Sequence, residues 1–231
     1  MQSAAPQQPS SPAARLAARA EMLAIKPAWR GWIHAVAAPL ALAASIVLIC
    51  LAPTPDRKIV SAVYALTGLM LFTVSAVYHR GNWSPKVKAI LKRLDHTNIM
   101  LVIAGSYTPL AWTLLDRPTA TLVLWLIWGG ALAGVAFRLL WLHAPRWLYV
   151  PIYVALGCAA LLFLPQFFAA SVPAAILICC GGAFYIAGAV FYGLKRPNFS
   201  YQFFGFHELF HAFTVLGFTC HLIAIFFSVL S

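Results

Sequence analysis

Residues 172–193 read Val-Pro-Ala-Ala-Ile-Leu-Ile-Cys-Cys-Gly-Gly-Ala-Phe-Tyr-Ile-Ala-Gly-Ala-Val-Phe-Tyr-Gly, and the run stops at Lys195-Arg196-Pro197-Asn198. No charge interrupts it. About 20 apolar residues is what an α-helix needs to cross ~30 Å of hydrocarbon, so the stretch reads as a membrane span. Comparable runs occupy roughly 33–52, 58–79, 97–115, 119–141, 147–165 and 207–230. Each is bounded by proline, glycine or charge, as at Pro53-Thr54-Pro55-Asp56 and Asp116-Arg117-Pro118. Between the fifth and sixth runs only Pro165 to Pro173 intervenes, with no charge to mark the turn. Lipid offers backbone groups no hydrogen-bond partners, and the alternation that suits a barrel is absent, so the spans must be helices. The expected fold is an all-α integral membrane protein: a seven-helix transmembrane domain over residues 31–231 behind an N-terminal tail of residues 1–30.

Composition points the same way. Of 231 residues, 62% are apolar and 9% charged, whereas soluble domains carry about 25% charged residues. A formal net charge of +11 would suit a nucleic-acid ligand, but the basic residues sit in short clusters between the apolar runs. Their placement excludes nucleic acid and sets the orientation instead. Thirteen Lys and Arg fall on one side, among them Arg15, Arg30, Arg80, Lys88, Arg138, Arg146 and Lys195; only Arg57, Lys58 and Arg117 fall on the other. By the positive-inside rule the richer side is cytoplasmic. The N-terminus is therefore expected inside, the C-terminus outside, and the protein in a plasma (bacterial inner) membrane as a multi-pass protein.

The first 30 residues lack a short apolar run ending in a cleavage site, and read as a retained, partly disordered cytoplasmic tail. Within it, Pro12 to Lys26 suits a weak interfacial helix. Trp29, Trp32, Trp83, Trp141 and Trp147 fall near the cytoplasmic edge, as an aromatic belt would. The five cysteines lie within spans in no paired spacing and read as packing residues.

Ionisable groups within spans are expensive and need an account. The topology gathers three of the seven histidines. His79 closes the second span, while His207 and His211 open the seventh, so all three share one membrane depth on the cytoplasmic side. The i, i+4 spacing of His207 and His211 places both rings on one helix face, the geometry by which a helix offers two nitrogens to one ion. Ser75 lies one turn deeper than His79 on the same face, and Asp95 stands at the boundary of the third span. Three imidazoles beside a carboxylate suit Zn²⁺, with a fourth position left for a water whose pKa falls to about 7. The string His207-Glu208-Leu209-Phe210-His211 also matches the metalloprotease HExxH formally, yet Glu208 at a membrane boundary reads as a solvated charge. His96 points about 100° away from Asp95 and reads as a packing or hydrogen-bonding residue. His221 lies about 15 Å beyond His211 along the helix and reads as a structural hydrogen bond. His34 and His143 read as boundary residues. From Ser84 through Leu94 a helix start carries an apolar stripe with basic flanks; it can lie on the inner leaflet or extend the third span.

Taken together, Ser75-Ala-Val-Tyr-His79, Arg93-Leu-Asp95-His96 with Ala104-Gly-Ser-Tyr-Thr-Pro109, and His207 through His211 running on to His221 resemble the bacterial hemolysin III proteins. These belong with the progestin and adipoQ (adiponectin) receptors and are related to alkaline ceramidases. The likeness spans nearly all of residues 30–230. It implies seven helices around a buried zinc held by His79, His207 and His211, with Asp95 holding or activating the zinc-bound water and Ser75 close by. It also implies that Glu208 is not the catalytic base. Three functions follow as expectations: a zinc-dependent hydrolase of a lipid amide or ester that takes an acyl chain from the bilayer, a non-catalytic regulator stapled by zinc, or a cytolytic membrane protein.

Overall fold

A computed structural model describes residues 11–24, 26–141 and 143–231, with the side chains of 18–20 and 22–24 outside the description. The expectation of disorder in the tail falls partly on residues 1–10, which lie outside the described residues. Helix α1 (Pro12–Ala24) occupies the stretch read as a weak helix. The bundle follows as α2 (Trp32–Leu51), α3 (Pro55–Arg80), α4 (Pro85–Leu114), α5 (Arg117–Leu140), α6 (Arg146–Cys158), α7 (Leu164–Ala170), α8 (Val172–Leu194) and α9 (Phe206–Leu230). A 3-10 segment, Ala159–Phe163, joins α6 to α7, so the two form one rod. Seven rods thus alternate in direction.

The helix starts share a chemistry. Ser84, Asp116 and Ser171 each accept a hydrogen bond from the backbone N–H three residues on, at 3.4, 3.2 and 3.4 Å. A proline sits in the first two helical positions of α3, α4, α5 and α8. There its missing N–H costs nothing and its fixed φ suits the turn. Ser171 also corrects the expected spans: the fifth rod runs on to Ala170 and turns at Ser171, beyond the predicted end at residue 165. Proline at position 165 sits near the start of α7 rather than ending a helix.

Six rods are long and apolar enough to cross a bilayer, with mean hydropathy of 1.9–2.3. The seventh is α4, which touches α3, α5, α6, α7 and α9 and is the central helix. It buries Thr97, Asn98, Ser106 and Thr108. Their hydroxyls and amide bond to carbonyls of α4 itself or, for Asn98, to Met70 of α3 at 3.0 Å. Facing protein on most sides, α4 can carry polar groups that a lipid-facing helix cannot. It also runs unbroken from Pro85, which shows that the basic segment after Ser84 extends this rod.

Candidate metal centre

By the alternation of the rods, α2, α4, α6 and α9 begin, and α3, α5 and α8 end, at one end of the bundle, the basic end. There α3 presents Ser75 and His79 one turn apart, both buried. Opposite them, α9 presents His207 and His211. The Nε2 atoms of His207 and His79 lie 3.1 Å apart, and one nitrogen from each of the three histidines falls within 4.8 Å of the others. The ring centroids are 4.6–5.1 Å apart. This cluster can hold a metal ion. The corner-to-corner separation in a tetrahedron with 2.0–2.1 Å bonds is about 3.3 Å, close to the observed 3.1 Å.

Asp95 completes the layer from α4. Its Oδ2 lies 3.9 Å from His79 Nε2 and 4.0 Å from His96 Nδ1. The His79 nitrogen that meets His207 is therefore also the one that faces the carboxylate, and the buried Ser75 hydroxyl lies beside Asp95. The sequence reading brought together Ser75, His79, Asp95, His207 and His211, and the structure groups them. His96 makes a local hydrogen bond, its Nδ1 donating to the Lys92 carbonyl at 2.7 Å, even though the ring stays beside Asp95. His221 donates from Nε2 to the Ile178 carbonyl at 3.3 Å.

Two residues were misread. Glu208 is not a solvated charge. It is 1% exposed, one oxygen paired with Arg30 and the other accepting the Gly205 N–H at 2.9 Å. Its carboxylate caps α9 and ties down residues 28–30, whose backbone also bonds to Gln202 and Phe203. Gly31 makes that docking possible. Its φ of 82° lies in the left-handed region, and a Cβ there would come within 2.8 Å of His79 Cβ.

Nor is His34 a boundary residue. Only 2% exposed, it lies flat on His211 with centroids 3.9 Å apart, and neither of its ring nitrogens has a partner. The argument that gathered the other histidines applies to it as well, since it sits in the first turn of α2 at the basic end. His143 is exposed, in keeping with a boundary position.

Beneath the cluster lies a cavity of about 1250 Å³. His79, Asp95 and His211 line its head, while Leu71, Val102 and Phe167 line its depth. Lys26 stands at the mouth, outside the bundle. Burial first, and then the charges of Arg80, Arg30 and Lys88, push its pKa below the ordinary lysine value.

A helical membrane bundle with three converging histidines over an apolar cavity defines a multi-pass membrane protein with a candidate metal centre. Residues 22–222 match the family described as Haemolysin-III related, and the chain belongs to that family. Relatives include a protein named Hemolysin-3 from Bacillus cereus, 27% identical over 80% of this chain and 83% of its own length. The Hemolysin-3 homolog of Bacillus subtilis (strain 168) is 29% identical over 80% of this chain and 85% of its own.

Proposed function

We propose that the protein is a zinc-dependent hydrolase of a lipid amide or ester in the bacterial plasma membrane. One observation carries this reading: three imidazole nitrogens and the Asp95 carboxylate converge at the head of a cavity of about 1250 Å³. His79, His207 and His211 would hold the ion, a donor set that suits zinc and leaves a fourth position open. Zinc bound there would acidify water and polarise a carbonyl. The remaining chemistry belongs to the chain. Asp95 Oδ2 is placed to orient the attacking water and take its proton. Ser75 donates its one hydroxyl proton to that carboxylate and so holds it in position. The apolar walls below admit an acyl chain and exclude bulk water. Glu208 has no part in proton transfer, because both its oxygens are engaged.

A second reading rests on the same distances. A metal here would join α3 to α9, and a protein that only needs that staple would be a regulator without turnover. Metal analysis and a lipid panel on one detergent-purified preparation separate the two. About one zinc per chain is expected, and His79→Ala, His207→Ala and His211→Ala should each lose most of it. Metal content that survives all three substitutions would defeat both readings. Full occupancy without turnover on any lipid would leave the staple.

A further inference from the structure

Arg138 closes the last turn of α5 and is 1% exposed, so it is a fully buried cation. Its guanidinium lies over the Tyr149 ring at 4.3 Å and Nη1 donates to the Trp141 carbonyl at 3.4 Å, but Nε has no partner. A charge buried this way normally requires an opposite charge. The chain has few to offer, with only five acidic residues. Asp56 and Asp116 lie at the opposite end of the bundle, and Glu21 lies on α1. Glu208 is taken by Arg30, and Asp95 sits beside His79 and His96. Among the described residues, no carboxylate comes within 4.0 Å of Arg138 or Arg146.

Arg146 repeats the arrangement from the start of α6. It stacks over Tyr192 at 4.2 Å and donates to that residue's carbonyl at 3.0 Å. The two tyrosines are themselves joined, hydroxyl to hydroxyl, at 3.2 Å. The arginines thus flank a Tyr149–Tyr192 pair, and the Tyr192 ring lies 5.6 Å from that of His207. Arg138, Arg146 and Lys92 all line the cavity, on the side of its head away from α2. Stacking occupies the guanidinium faces and a carbonyl takes one Nη1 donor of each, while Arg138 Nε still lacks an acceptor.

We propose that Arg138 and Arg146, with Lys92, form a binding site for the phosphate headgroup of an amphiphile whose chain occupies the apolar depth of the cavity. Phosphate is favoured over carboxylate because several cations converge. One guanidinium satisfies a carboxylate, whereas a phosphate presents more oxygens and up to two charges. The crowding of cations around Lys26 at the mouth adds to the attraction. The site stands on the cavity and its cations, and holds whether or not the histidines support turnover.

The test reads binding to the full-length protein in a neutral detergent, using dodecyl phosphate, dodecanoate, dodecanol and inorganic phosphate as probes. Dodecyl phosphate should bind at least ~10-fold more tightly than dodecanol. Arg138→Gln should weaken it by roughly 10- to 100-fold, the loss expected for one charge-assisted contact, and leave dodecanol unchanged. Arg138→Lys should recover part of the loss. If Arg138→Gln fails to fold, Arg146→Gln and Lys92→Gln carry the same comparison. Unchanged dodecyl phosphate binding in a folded variant would overturn the site. Dodecanoate binding as tightly as dodecyl phosphate would overturn the phosphate assignment. Inorganic phosphate competing on equal terms would make the occupant a free anion, not a headgroup. Repeating the titration on chelator-treated protein separates this result from the metal: binding should persist there, whatever becomes of hydrolysis.

Discussion

The two halves of the bundle treat their polar groups differently. Away from the histidine cluster, the strongest donors described find acceptors inside the chain. Tyr64 stacks on Phe218 with centroids 4.8 Å apart and donates its hydroxyl to the Phe218 carbonyl at 2.9 Å. Phe72 meets the same Phe218 edge-on at 4.9 Å. Arg57 donates to the Val229 carbonyl at 2.6 Å, and Trp112 to Asp56 at 2.8 Å. Around a cavity of about 1250 Å³, the His34 nitrogens and Arg138 Nε at the basic end, and the Tyr185 hydroxyl and His221 Nδ1 deeper in, are buried and unsatisfied. Buried polar groups without partners are rare in folded proteins. All four residues line that one cavity, which marks where this protein meets something other than itself. The closed half supplies rigidity, and the open half supplies the site.

The sharpest way to break this comparison is to ask which half faces the cytoplasm. A reporter active only outside the cytoplasm should be fully active when fused after Ser231 and silent when fused near Gly81. The opposite pattern would put the open half on the outer side and overturn the expected orientation. Next in size is Asp95→Asn, which keeps shape and removes basicity. Lipid turnover should fall by about 10²–10⁴-fold, the usual share of general-base help. Zinc affinity should weaken only about 10–100-fold, as for a residue that orients a ligand without binding metal. Undiminished turnover at full occupancy would remove Asp95 from the mechanism. In the closed half, Phe218→Ala should destabilise the fold by about 2–3 kcal/mol, below the ~3–5 kcal/mol of soluble cores, because lipid contributes no hydrophobic drive. Unfolding in mixed detergent measures it, and zinc per folded chain should not change. The smallest effect belongs to His221→Ala, which should leave zinc content at the wild-type level. Any clear loss would tie the deep wall of the cavity to the metal centre.

Much of this was legible in the sequence because two strong signals act at different scales. Lipid imposes length and apolarity on each span, so seven rods could be read from runs such as 172–193. Helical periodicity and the alternation of spans then placed His79, His207 and His211 at one depth. What escaped was long-range and pairwise. His34 and Arg138 each look like ordinary boundary residues along the chain. Only the packing of α2 on α9 brings His34 onto His211, and only the fold buries Arg138 away from acid. Glu208 was misread for the same reason, since its partner Arg30 lies 178 residues earlier. The turn between the fifth and sixth rods shifted because no charge marks it, and the capping serine at 171 decided the boundary.

The polar interior of α4 bears on how the protein is made. Read alone, this helix is a poor solute for hydrocarbon, since Thr97, Asn98, Ser106 and Thr108 lie along it and Lys86, Lys88, Lys92 and Arg93 stand on its first turns. A nascent chain emerging as far as residue 115 holds a segment that partitions weakly into the bilayer by itself. Its insertion must therefore be cooperative, with α3 already in place to accept Asn98 at the Met70 carbonyl and α5 following to cover the other side. The helix that carries Asp95 is thus the one whose entry into the membrane depends most on its neighbours, and biogenesis and chemistry meet on the same rod.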